Sequence, residues 1–131
     1  MNKLILKIVI VATVIVSVFV ITVCGVQQAV VRNITPKEAY DMMNEIDEFV
    51  LLDVRNASEF ASGRIYGAIN IPYTDLTMRA VNEISNKKIV ILVYCQTGRR
   101  SAHAAANLVG LGFLNVYDFG GINNWPFGIT R

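Results

Sequence analysis

"KIVILVYCQTGRRSAHAAANLVGLGF", Lys88–Phe113, is the stretch on which the fold of this chain turns. Lys88–Tyr94 is apolar without polar alternation, the pattern of a strand covered on both faces. "SAHAAANLVGLGF" has helical spacing, an alanine-rich face suited to close packing, and Gly110 or Gly112 as its stop. "CQTGRR", Cys95–Arg100, joins the strand end to a helix that begins near Ser101. Strand, short loop and helix in this order are the unit of a mainly parallel α/β sheet. In such sheets the ligand site lies beyond the carboxyl ends of the strands, where Cys95 falls.

The flanking sequence repeats the same alternation. "NITPKEAYDMMNE" places Thr35 as N-cap, Pro36 at the first helical position and Glu38 at the third. "FVLLDV", Phe49–Val54, is a second apolar strand, and Asn56 with Glu59 repeats the cap spacing over a short helix ended by Gly63. "AINI", Ala68–Ile71, is a short strand stopped by Pro72. In "TDLTMRAVNEIS", Leu76, Met78, Ala80, Val81 and Ile84 have partly helical spacing. "NVYDF", Asn115–Phe119, is a last strand, with Gly120–Gly121 as a turn and "INNW" as a final helical turn.

The chain has 131 residues, a length that suits one domain, and 53% of them are hydrophobic. That excess is concentrated at the amino end. Ile8–Val31 holds 24 residues without a charge, preceded by Lys3 and Lys7. As a helix it would extend roughly 36 Å, enough to cross a bilayer. Residues 1–31 are therefore read as a membrane-targeting segment, contacting the membrane through residues 4–24, and residues 32–131 as the folded domain. An uncleaved anchor fits the length best. Cleavage near Val23–Cys24–Gly25, giving a secreted or periplasmic domain, and lipid attachment at Cys24 stay open. The charge bias around the span puts the domain outside the cytoplasm.

Beyond Lys3 and Lys7, ten basic residues balance ten acidic ones, so no field is available to hold nucleic acid. Two cysteines, one of them in the apolar segment, exclude a disulfide framework. No metal-ligand spacing and no nucleotide-type glycine pattern occurs, so no cofactor is expected. His103, the only histidine, is expected to pack or face solvent.

A cysteine is nucleophilic as thiolate, and an ordinary thiol with a pKa of about 8.5 supplies little of it at neutral pH. Four features of the loop favour ionisation. Gly98 can take positive φ and turn backbone N–H groups inward, with Thr97 keeping the loop tight. The helix amino terminus adds partial positive charge, and Arg99 and Arg100 add formal charge. The loop therefore reads as a cradle for a nucleophilic sulfur and an oxyanion.

"YCQTGRRSAHAAANLVGLGFLNVYDFGGINNW" resembles the active-site loop and carboxyl end of rhodanese-type sulfurtransferases, and "LLDVRNASEFASGRIYGAINIP" resembles that family's other hallmark segment. The resemblance spans about Arg32 to Trp125. It implies a rhodanese-like α/β domain around a five-stranded sheet with helices on both faces. It also implies that Cys95 takes the outer sulfur of thiosulfate or a similar donor as a persulfide and passes it to cyanide or a thiol. Gln96, Thr97, Gly98, Arg99 and Arg100 would bind the anionic donor and the persulfide; Arg100 is favoured as the arginine nearest the donor, and the choice between it and Arg99 stays open. Asp53 and Arg55, matching the family's "DVR", would support the loop, since a carboxylate beside a thiolate opposes ionisation. Gly67, Ala68, Asn70, Pro72, Gly120, Gly121 and Trp125 are read as structural. Arg64 departs from the family pattern, where histidine is common.

Three rivals share the cysteine. A cysteine phosphatase needs arginine six positions after the cysteine, and Ser101 stands there. A delivery module that hands sulfur from Cys95 to one protein partner has the same loop chemistry. Redox sensing lacks a resolving cysteine in the folded part.

Overall fold

Thr35 and Glu38 start the first helix as their spacing predicts: the Glu38 amide donates to Thr35 Oγ1 at 3.2 Å, and the Thr35 amide to Glu38 Oε2 at 2.7 Å. This computed structural model describes residues 2–10 and 28–131. The strands are β1 (Val30–Asn33), β2 (Phe49–Asp53), β3 (Ile69–Asn70), β4 (Val90–Cys95) and β5 (Asn115–Gly121). The helices are α1 (Pro36–Glu45), α2 (Ala57–Ser62), α3 (Leu76–Glu83) and α4 (Arg99–Gly110), with 3₁₀ turns at Tyr73–Asp75 and Ile122–Asn124. The five strands form one parallel sheet in the order β1-β5-β4-β2-β3.

The apolar run of β4 is explained by its central place, because alternate residues enter opposite cores. Ile91, Val93 and Cys95 pack with Leu76, Ala80, Ala104, Ala105, Leu108 and Phe113 from α3, α4 and the turn after α4. Leu92 and Tyr94 pack on the other face with Ala39, Leu51, Ile65 and Phe119. Cys95 thus shares a face with the helix that follows it. Ala104 and Ala105 allow α4 to lie close to the sheet, as their small side chains predict. The helix ends at Gly110, and the chain reverses through Gly112 at φ +91°.

Three places differ from expectation. β1 begins at Val30, inside the segment 1–31 expected to target the membrane: Val30 and Val31 pair with Asn115 and Val116 in the sheet. β5 continues through Gly120 and Gly121 where a turn was expected. Between Val93 and Cys95 the β4–β5 register shifts: Val93 pairs with Asp118 and Cys95 with Gly121, leaving one extra residue on β5. In α3, Leu76, Ala80 and Ile84 are buried at the four-residue spacing, but Met78 is 75% exposed and Val81 faces out.

No helix among the described residues is long and apolar enough to cross a membrane. The expected span falls mainly on residues 11–27, and with Cys24 it lies outside the described residues; residues 3–10 are helical.

Candidate active site

The site forms where β4 ends and α4 begins. Cys95 is 1% exposed, at the base of the loop Gln96–Gly98. Gly98 adopts φ +103°, a left-handed conformation that other residues rarely take, and its amide donates to Cys95 Sγ at 3.0 Å. Burial alone would push the thiol up. The amides of Ser101, Gly98 and Thr97, with the Ser101 hydroxyl, favour the thiolate and outweigh burial, so the thiol ionises below its usual range. Of the amides of Gln96–Arg100 expected to turn inward, that of Gly98 donates to the sulfur.

Gly121 brings the end of β5 against this loop. A Cβ there would stand 2.7 Å from Thr97 Cα and closer still to Gln96 O, so any side chain at this position would displace the loop. Ser101 ties the same elements together, its hydroxyl lying 3.0 Å from Gly98 O and 3.2 Å from Gly120 O. In the sequence Ser101 marks the start of the helix and stands where a phosphatase has its arginine. Its place in the first turn of α4, next to the cradle, was the available signal for a further role.

The remaining expected residues divide into two groups. Asp53 and Arg55 are buried and joined by contacts from Arg55 N, Nε and Nη2 to the carboxylate, the shortest at 2.6 Å. Arg55 also donates to Gly63 O at 2.7 Å and to Gln96 Oε1 at 3.2 Å. Asn70 Nδ2 donates to the carbonyls of Asp53 and Arg55. Gln96 in turn donates from Nε2 to Asn123 Oδ1, and its carbonyl accepts from the Asn123 amide at 3.2 Å. The Asp53–Arg55 pair therefore reaches the loop through Gln96.

Arg99 is exposed, whereas Arg100 turns onto Glu59 in a two-pronged pair at 2.8 and 2.9 Å. This bond, with the nearby Arg55, holds the Glu59 carboxyl down at about 2. Arg100 is held protonated chiefly by Glu59, with a smaller pull from the Cys95 charge. The sequence reading placed Glu59 only as a helix cap, and it does accept from the Asn56 amide at 2.9 Å. Nothing local signals its second role.

Next to Gln96 opens a cavity of about 520 Å³, whose walls include Arg55, Glu59, Gln96, Asn123, Trp125 and Ile129. Cys95 itself does not line it; its neighbour Gln96 does. The carboxyl-terminal tail, which the sequence reading left without a role, closes one side. Arg64 and Thr130 exchange two backbone hydrogen bonds of 2.8 Å, and Trp125 Nε1 donates to Gly128 O. The Arg64 side chain lies over the Phe60 ring at 4.9 Å, so only the backbone of this residue, not the side chain that departs from the family pattern, holds the tail. His103 is exposed, 6.4 Å from the Tyr73 ring. Among the described residues no cluster of His, Cys, Asp or Glu could hold a metal ion.

The family described as Rhodanese-like domain matches residues 35–126, across both the Asp53–Arg55 element and the Cys95 loop. The chain belongs to this family. The curated relatives of this rhodanese-like domain include YqhL of Bacillus subtilis, 38% identical over 100 residues, the match covering 76% of this chain and 75% of that protein. They also include the thiosulfate sulfurtransferase GlpE of Pseudomonas putida, 34% identical over 95 residues, covering 72% and 84% of the two chains. The crystal structure of a rhodanese-like domain protein from Staphylococcus aureus superposes with a TM-score of 0.64 at 30% identity, covering 76% of this chain and 96% of that one.

The amide ring carries a prediction of its own. Ser101→Ala removes one of the groups that stabilise the thiolate, so Cys95 is expected to ionise at higher pH than in the parent. The group that must ionise is an acid, so reactivity falls as pH drops through its pKa. The acid limb of a pH–alkylation profile is therefore expected to move to higher pH, with the plateau kept. An unmoved limb would show that Ser101 does not act on the sulfur.

Proposed function

We propose that this protein is a sulfurtransferase that carries sulfane sulfur on Cys95 as a persulfide. The Cys95 thiolate attacks the outer sulfur of a sulfane donor. An Sγ–S bond forms, the donor's S–S bond breaks, and its electron pair leaves with the donor remnant, sulfite in the case of thiosulfate. A thiol or cyanide then takes the outer sulfur and restores the thiolate. The observation that carries this reading is the Gly98 amide on Cys95 Sγ at 3.0 Å, in a loop whose amides favour the ionised sulfur despite its burial. The same N–H groups suit a persulfide anion one bond further out. Asp53 and Arg55 act by holding Gln96 and the loop, away from the chemistry.

Mass spectrometry of the purified protein before and after a sulfane donor tests the reading. One added sulfur atom on Cys95, removed by cyanide, is expected; an unchanged mass with every donor would count against it. For location, the proposal is that the apolar amino-terminal run holds the domain at a membrane, outside the cytoplasm. A reporter fused after Arg131 that works only in the cytoplasm would overturn that part.

A further inference from the structure

Every formal charge on the cavity wall is already paired. Arg55 is spent on buried Asp53, and Glu59 on Arg100. The Arg100 fork is the planar, two-donor group suited to an oxyanion, and an internal carboxylate occupies it. Among the described residues Arg99 has no salt-bridge partner, but it is exposed to solvent. A thiosulfate dianion approaching the Cys95 thiolate would therefore meet the thiolate's charge with both nearby guanidinium groups, Arg55 and Arg100, already neutralised by carboxylates. Ile122, Trp125 and Ile129 meanwhile give the same cavity apolar wall, for which thiosulfate has no use.

We propose that Glu59 selects the sulfur donor: its carboxylate holds the Arg100 fork against oxyanion donors and leaves the cavity to an organic persulfide, R–S–SH. This inference rests on the sulfurtransferase reading above. The thiolate attacks the outer sulfur of R–S–SH; the Sγ–S bond forms, the S–S bond of the donor breaks, and the electron pair leaves as RS⁻. The proton stays on the transferred sulfur, and the exchange needs no external oxidant or reductant. Glu59 stays ionised throughout the neutral range, so the selection does not relax with ordinary changes of pH.

The test compares sulfur loading on Cys95 from thiosulfate and from benzyl persulfide, released in place from an acyl disulfide precursor. Loading is followed by mass spectrometry over a range of donor concentrations. The parent is expected to prefer the persulfide by about tenfold or more. Glu59→Gln keeps an acceptor for the helix cap, where glutamine serves as well as glutamate, while removing the charge and one of the two oxygens that hold the Arg100 fork. It is expected to lower the half-saturating thiosulfate concentration by about tenfold, as loss of one like charge at a partly exposed site would. The preference should shrink by the same factor, and the gain should fade at high salt. Glu59→Asp, which perturbs packing but keeps the charge, is expected to retain the preference. A parent that prefers thiosulfate, a ratio unmoved by Glu59→Gln, or equal relief by Glu59→Asp would overturn donor selection alone. Loading by neither donor would overturn the sulfurtransferase reading and this inference together.

Discussion

Cys95→Ser is expected to abolish sulfur loading, lowering the rate by roughly a thousandfold or more while leaving the protein folded. The serine hydroxyl is a little smaller than the thiol and accepts the same Gly98 amide, so the loop keeps its partner. What disappears is the ionised, polarisable sulfur. A hydroxyl does not ionise near neutral pH under the pull of a few amides, and an oxygen–sulfur bond cannot replace the persulfide. Loading followed by mass spectrometry, with the far-ultraviolet circular dichroism spectrum as the fold control, checks the result. Sulfur acquired by the serine variant at a rate near the parent's would remove Cys95 from the chemistry.

The second large effect concerns stability. Asp53→Ala is expected to destabilise the domain by about 3–5 kcal/mol, the usual consequence of stripping one partner from a buried ion pair. Arg55 would keep Gly63 O and Gln96 Oε1 as acceptors, but its charge would lie buried without a counter-ion. Asp53→Asn retains an acceptor for the Arg55 amide and is expected to cost less. Urea midpoints for the three proteins measure both differences. An alanine variant within about 0.5 kcal/mol of the parent would show that the pair is not a support, because surface changes fall in that range. Since Arg55 holds Gln96, the alanine variant is also expected to slow sulfur loading in the fraction that stays folded.

Much of the fold is legible in single segments. The apolar runs at Phe49–Val54 and Lys88–Tyr94 are strands because burial on both sides removes any need for alternation. Thr35 with Glu38 and Asn56 with Glu59 mark helix starts because capping joins residues three apart. β1 escaped notice for a physical reason. Val30 and Val31 continue an apolar run that already explains itself as a targeting segment, and only pairing with β5 distinguishes the two. The extension of β5 through Gly120 and Gly121 was equally hidden. Two adjacent glycines signal a turn locally, whereas here Gly120 takes a positive φ within the strand, at +88°, and Gly121 lets the Cys95 loop approach.

Order along the chain was enough to place a thiol at the end of a buried strand, before a glycine-bearing turn and a helix. Those relations are local, and local sterics and periodicity enforce them. The charge balance around that thiol is another matter. Glu59 lies 41 positions from Arg100, and Asn123 lies 27 from Gln96, so no spacing rule connects them. Two adjacent arginines promise positive charge at the sulfur; folding turns one of them onto a carboxylate and leaves the other in solvent, and the backbone amides favour the ionised sulfur instead. Electrostatics depends on distance in space, and that distance exists only once the sheet has brought its strand ends together.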